Sequence, residues 1–323
     1  MSDTMATVSD PTAASPDAAV ELRPLTPHVA LSRVIMLVNP LSGSVGPRAA
    51  AEAEAILSEY ACEPSVVSLE GGQFDQQIQT ALDAKPDVLF VLAGDGTAGT
   101  IASRAGPDGP LVAPLPGGTM NMLPRALYGT ADWKLALRRA LEEGAPQSVA
   151  GGEVTDGDFT QSFYCAAIFG SPALWAPARE AMRTGKLKLA WMHARRAFKR
   201  AFSGRLRFSL DARAERRAEA LVLISPMISK AMDENTGLEA AAMNPSDAME
   251  AFRLAAHAVM DDWRQDPAVT TRATQKVTIR ARSRIPAVID GEPVQLHHEA
   301  KVRFIRKAFQ ALAPMPPAAE DAV

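Results

Sequence analysis

Asp87-Val88-Leu89-Phe90-Val91-Leu92-Ala93-Gly94-Asp95-Gly96-Thr97 is the stretch that decides the fold: an apolar run that stops in a turn of small and polar residues. Such a run over 87–92 predicts a strand buried on both faces, and the residues after it, 97–105, have helical character. The arrangement recurs on either side. A strand at 33–38 stops in Asn39-Pro40-Leu41-Ser42-Gly43, and one at 111–115 stops in Pro116-Gly117-Gly118-Thr119-Met120-Asn121. Helical periods fill the intervals. Ala50, Ala53, Leu57 and Tyr60 share one face over 47–60, ahead of a strand at 65–69, and Phe74, Ile78 and Leu82 follow at i, i+4, i+8. Helices are expected at 121–128 and 131–143. Short apolar strands alternating with helices are the signature of a parallel sheet, so the first half is read as an α/β domain.

Gly144-Ala145-Pro146 breaks the last of these helices. Beyond it the pattern changes to alternating strands, for example 205–210, 277–280 and 302–306. Helical stretches are expected within 174–202 and over 247–263. The second half is therefore expected to be a mainly antiparallel β domain with helices. The domain expectation is a tail at 1–30, an α/β domain at 31–146, a β-rich domain at 147–312 and a second tail at 313–323. The tails follow from composition. The first 30 residues are rich in Ala, Pro, Ser, Thr and Asp, with no basic residue before Arg23.

At 323 residues, with 47% hydrophobic and 22% charged residues, the chain has the composition of a globular protein able to bury two cores. A formal net charge of -3 excludes a global attraction to nucleic acid or anionic lipid. Two distant cysteines, Cys62 and Cys165, make neither a disulfide framework nor a metal cluster and fit a reducing compartment. No signal-peptide core and no run of about 20 apolar residues occurs. A cytoplasmic protein, touching membrane only at its periphery, is expected.

In an open parallel sheet the carboxyl ends of the strands line one crevice, so the three turns are expected to converge on one ligand. Glycines admit close backbone approach, and helix N-termini present positive dipole ends, a combination suited to a polyphosphate. Asp95 among such amides would repel phosphate unless it held a cation or took up a proton; as an alternative it caps a helix beginning at Thr97. Gly94-Asp95-Gly96-Thr97-Ala98-Gly99 matches G-x-G-x-x-G. The next strand, however, ends in Leu115-Pro116 with no carboxylate to hold a ribose. No G-x-x-x-x-G-K-[ST] is present.

The chain resembles the diacylglycerol kinase catalytic family, which includes bacterial lipid kinases, sphingosine kinases and ceramide kinases. The marks are the Asn-Pro-x-Ser-Gly turn at Asn39 to Gly43, the Gly-Asp-Gly-Thr loop after Ala93, the Pro-x-Gly-Thr-x-Asn turn at Pro116 to Asn121, and Asp290-Gly291-Glu292. The resemblance implies a fold like that of NAD kinases and diacylglycerol kinases, and transfer of the γ-phosphoryl group of ATP, with Mg²⁺, to a lipid hydroxyl. Asn39, Ser42, Gly43, Gly94, Gly96, Thr97, Gly118, Thr119 and Asn121 would line the nucleotide cleft. Asp95 would bind Mg²⁺ or orient the reacting groups, Asp290 would be the general base, and Glu292 would assist metal or nucleotide binding. Ala93 replaces the family's first loop glycine, which an extended strand end would tolerate. The second half lacks the usual Asn-Gly and Gly-rich stretch after Ile224. Asp233-Glu234-Asn235-Thr236-Gly237 stands where Asp-Asp-Gly is common, which leaves an additional structural metal site open.

Between Arg183 and Arg207 nine Lys or Arg residues and no acid are interleaved with Leu187, Leu189, Trp191, Phe198 and Phe202. The segment suits docking on an anionic leaflet and equally a solvated helix face above a core stripe. No recognition motif for nucleic acid accompanies it, and nothing in the sequence fixes an oligomeric state. His297 and His298 are adjacent on an expected strand and would point to opposite faces, which argues against joint metal ligation. Two other readings compete with the lipid kinase. An NAD kinase-like enzyme shares the Gly-Asp-Gly loop, and a catalytically silent nucleotide-binding lipid sensor would have no need of both Asp95 and Asp290.

Overall fold

The computed structural model describes residues 25–157, 159–170, 206–229, 236–243 and 269–315. The first half runs β1 (Arg33–Val38), α1 (Ala49–Leu57), β2 (Glu63–Ser68), α2 (Phe74–Asp83), β3 (Val88–Ala93), α3 (Asp95–Ala105), β4 (Leu111–Pro116), α4 (Met122–Tyr128) and α5 (Trp133–Glu142). β2, β1, β3 and β4 lie side by side and parallel. Their alternation explains the continuous apolar runs. Val34, Met36, Val38, Phe90 and Leu92 pack on one face with α1 and α5, while Ile35, Leu37, Leu89 and Val91 pack on the other with α2 and α3. A strand with both faces covered has no polar side, so its sequence is uninterrupted.

The second half contributes β5 (Gly144–Asp156), β6 (Phe159–Phe163), β7 (Ala166–Gly170), β8 (Leu206–Leu210), β9 (Arg216–Ala218) and β10 (Ala220–Ile224). Then come β11 (Leu238–Met243), β12 (Val269–Thr274), β13 (Lys276–Arg280), β14 (Ile285–Ile289), β15 (Glu292–Leu296) and β16 (Glu299–Pro314). Two sheets result. A six-stranded antiparallel sheet has the order β12-β11-β10-β7-β14-β15, and a ten-stranded sheet carries the parallel strands on into β16, β13, β8 and β9. Leu221, Leu223, Ala287 and Ile289 of the first meet Phe208, Ile279 and Val302 of the second in a sandwich core. The α/β first half and the antiparallel second half agree with the sequence reading.

The two halves are sewn together by one long ribbon. β16 pairs with β5 from Lys301↔Thr155 to Pro314↔Gly144, with a register shift between Ile305 and Phe309, and Ala311 also pairs in parallel with Val112 of β4. Gly144-Ala145-Pro146 thus follows the end of α5, as read, and opens β5, and Ala313 and Pro314 belong to the sheet rather than to a tail. At the other end, Leu25 bridges to Tyr60 and the His28 N–H donates to the Leu141 carbonyl at 2.7 Å. The last residues of the stretch expected as a tail are thus tied to the first lobe. The helical stretches expected within 174–202 and over 247–263, the basic segment up to residue 205, and Asp233 to Asn235 lie outside the described residues. Among the described residues no helix is long and apolar enough to cross a membrane.

Candidate active site

The three strand-end turns meet, and side chains join them in pairs. Ser42 Oγ accepts the Gly94 N–H at 3.1 Å, linking the first turn to the second. Ser44 links the first to the third: its N–H donates to the Gly117 carbonyl at 3.1 Å and its hydroxyl to the Gly118 carbonyl at 3.0 Å. Asn121 folds the third turn on itself, its Oδ1 accepting the Gly118 N–H at 2.7 Å and its Nδ2 donating to the Gly118 carbonyl at 2.9 Å. Asn121 sits in the left-handed region at φ 51 and is buried. It caps α4 from outside, whereas the sequence reading began the helix at this residue. Asparagine tolerates that conformation because its short amide bonds locally.

Packing between the second and third turns leaves no room for a Cβ. One added at Gly117 would lie 2.7 Å from the Ala93 nitrogen, and one at Gly118 would lie 2.8 Å from the Gly94 Cα. Ala93 itself is the last residue of β3, paired with Pro116 and extended, so alanine costs nothing there. The Gly94 and Gly118 N–H groups, expected to face phosphate, are taken up by these internal bonds. Those of Gly43, Gly96 and Thr97 take no such part, and the last two belong to the first turn of α3, where helical N–H groups have no helical partner.

α3 begins at Asp95, two residues earlier than expected, with Gly94 as its N-cap. Asp95 therefore does not cap its own helix. Its carboxylate accepts the Leu123 N–H at 3.3 Å, at the N-terminus of α4. Burial raises its pKa, and the backbone N–H groups of Leu123, Met122, Asn121 and Asp95 itself oppose the rise. The side chain is a bridge between the second and third turns as well as a charge in the cleft.

Asp290 arrives from the other half of the chain, at the two-residue turn between β14 and β15. Its φ of 44 and that of 90 at Gly291 suit a tight hairpin. Three successive amides hold its carboxylate: Tyr164 N–H to Oδ2 at 2.6 Å, and Cys165 and Ala166 N–H to Oδ1, each at 2.9 Å. Burial pushes its pKa up to about 6 against those three bonds, and the charge of Asp95 adds to the rise. The two carboxylates thus share one electrostatic environment. Glu292 reaches the same place, since a Cβ added at Gly96 would lie 3.4 Å from its Oε1. Tyr164 fixes the amide turn against the first lobe. Its ring meets Phe309 edge-on at 5.0 Å between centroids, and lies 3.7 Å from where a Cβ on Gly99 of α3 would be.

Every residue expected at the site is thus drawn to one end of the parallel sheet or onto the hairpin facing it. Ser44 and the Tyr164-Cys165-Ala166 amides escaped the sequence reading. Backbone donors leave no letter in a sequence, and Ser44 lies one residue beyond the recognised turn. His297 and His298 fall in the turn between β15 and β16 rather than on a strand, where His297 Nδ1 meets Asp156 Oδ2 at 2.9 Å. Among the described residues no three His, Cys, Asp or Glu side chains gather into a preformed metal cage.

Residues 33–154, which carry all three turns, match the model of the diacylglycerol kinase catalytic domain. That stretch of the chain is similar to the diacylglycerol kinase catalytic domain. Solved structures agree on the fold. A diacylglycerol kinase from Bacillus anthracis str. Sterne superposes with a TM-score of 0.63 at 14% identity, over 90% of this chain and 98% of that one. Two further Bacillus anthracis str. Sterne proteins assigned as diacylglycerol kinases give TM-scores of 0.66 and 0.64 at 16% and 17% identity. They cover 90% and 88% of this chain and 99% and 98% of theirs. No curated protein matches the sequence. A kinase-type domain over these residues supports a phosphotransferase, and the superpositions run over nearly the whole of each of those structures.

Proposed function

We propose that the chain is an ATP-dependent lipid kinase that transfers the γ-phosphoryl group to a hydroxyl of diacylglycerol or of a sphingoid or ceramide-type lipid. One observation carries the reading: a late carboxylate, Asp290, is gripped by amides of the second half and placed within electrostatic reach of Asp95 among the strand-end turns of a kinase-family domain. Phosphoryl transfer requires positioning and charge neutralisation more than covalent chemistry, so turns of this kind and two carboxylates suffice.

The free N–H groups of Gly43, Gly96 and Thr97 are suited to the phosphates, with the N-terminus of α3 behind them. Asp290 is suited to take the proton of the acceptor hydroxyl. Three amides occupy three of its lone-pair positions, leaving one on Oδ2, and a pKa of about 6 keeps it ionised at neutral pH while matching it to proton transfer there. Mg²⁺ fits the donor chemistry of the site, because that ion binds through one or two carboxylates plus substrate phosphates rather than an all-protein cage. Asp95 would hold it, assisted by Glu292, and the ion would supply neutralisation of phosphate charge.

The test is transfer of label from γ-labelled ATP to a panel of diacylglycerol, ceramide, sphingosine and NAD, the lipids in mixed micelles. Labelled lipid phosphate is expected. Labelled NADP with unlabelled lipids would replace this reading by the NAD kinase one.

A further inference from the structure

Tyr164 belongs to two structures at once. Its backbone N–H donates to Asp290 Oδ2 at 2.6 Å, the shortest of the three amide bonds that hold that carboxylate. Its side chain is buried and lies against α3, in the other half of the chain. One edge of the ring faces Gly99 of α3. The other faces Gly151 of β5, where an added Cβ would lie 3.0 Å from the ring Cδ1. Phe309 of β16 closes this slot edge-on, and at the far end the Tyr164 hydroxyl meets those of Ser103 on α3 and Ser162 on β6.

The face of α3 that Tyr164 covers is the one that begins with Asp95. Asp95, Gly99 and Ser103 stand at i, i+4 and i+8, so their positions lie one above another on the helix. Gly99 and Ser103 are one turn apart, about 6 Å along the axis, a length that a tyrosine side chain spans and a leucine does not. The side chain is therefore keyed to the row headed by Asp95, while the main chain of the same residue is keyed to Asp290. A helix, a buried ring and an amide stand in series between the two carboxylates, and each is stiff. Stiffness matters at this place, because a reacting group displaced by about 1 Å can lose about 100-fold in rate.

We infer that Tyr164 is a positioning residue of the transfer step, its side chain fixing the separation between Asp290 and the end of α3 that carries Asp95. The role rests on the lipid-kinase reading, in which that end of α3 faces the phosphates and Asp290 takes the proton of the lipid hydroxyl. Tyr164 acts through Asp290 rather than on the reacting atoms. Its loss is therefore felt in kcat and not in the hold on ATP, and only while Asp290 is able to act as a base.

The experiment offers labelled ATP with 1,2-dioleoylglycerol, ceramide or sphingosine in mixed micelles to the full wild-type chain and keeps the acceptor labelled fastest. Tyr164→Phe and Tyr164→Leu are then compared, each alone and combined with Asp290→Asn, with active sites counted by ATP binding so that unfolded protein does not enter the rate. Tyr164→Leu lowers kcat at least about tenfold and leaves the KM for ATP within about twofold. Tyr164→Phe, which keeps the ring in its slot, stays within about threefold of wild type. In the Asp290→Asn chain no base remains to be placed, and Tyr164→Leu changes kcat by less than about twofold. If Tyr164→Leu fails to fold, Gly99→Val presses on the same ring edge from half-exposed α3 and is judged by the same comparison. An equal loss with and without Asp290, or a lower thermal midpoint with kcat unchanged, overturns the role of Tyr164 and leaves the kinase reading standing. A wild type that labels none of the three lipids overturns the kinase reading and the role with it.

Discussion

The two sides of the cleft are built by different means. On the side proposed for the nucleotide the geometry is set by backbone: turns packed so closely that Gly117 and Gly118 admit no Cβ, tied by Ser42, Ser44 and Asn121. On the side proposed for the acceptor it is set by one charge, the Asp290 carboxylate, held by three amides of a neighbouring turn. The contrast teaches that damage on the first side is steric and structural, whereas damage on the second is electrostatic and catalytic. Substitutions can therefore separate the two.

The strongest structural effect is expected at Gly117→Ala and Gly118→Ala. The new methyl meets backbone rather than a movable side chain, so urea unfolding should show a loss of about 3 kcal/mol, with ATP binding lost alongside. Asn121→Ala comes next. It removes both bonds to Gly118 and leaves a residue poorly suited to φ 51, at an expected cost of about 2 kcal/mol by the same measurement. If either variant unfolds like the wild type, the backbone description of the nucleotide side fails.

On the acceptor side the pH profile carries the comparison. A base must be unprotonated to act, so kcat/KM for the lipid should fall about tenfold per pH unit below the pKa of Asp290, with a midpoint near 6 and a plateau above it. In the protein without Mg²⁺, an NMR titration of the Asp290 carboxyl should show its pKa lower in Asp95→Asn than in the wild type, because the neighbouring negative charge that helps raise it is gone. A wild-type midpoint in the ordinary carboxylate range would mean that neither burial nor Asp95 is felt. The smallest effect is expected at Gly96→Ala. There the nearest contact is the Glu292 carboxylate at 3.4 Å, which can give way, so stability should change by less than about 1 kcal/mol while the KM for ATP rises modestly.

The sequence made the first half legible because local signals suffice there. β1 falls at Arg33–Val38 as read, and each apolar run ends at the turn that marks it. The β5–β16 ribbon was not legible. Gly144 and Pro314 pair across nearly the whole second half, and β16 carries Lys301, Arg303, Arg306 and Lys307, so only 302–306 looked like strand. The site residues were legible as types and turns, but their bonds were not. The alternative reading of Asp95 as the cap of its own helix fails because its carboxylate bonds the start of a different helix, and only tertiary packing decides that. The cradle of Asp290 is invisible to sequence because any three residues could offer those amides.

The most direct test of the shared cleft is to measure ATP binding and phosphoryl transfer side by side in Asp290→Asn, a replacement that keeps the left-handed turn. Binding within about twofold of wild type and a turnover at least about 100-fold lower are expected, the ordinary worth of a general base. Wild-type turnover in that variant, or a loss of binding equal to the loss of turnover, would contradict the account.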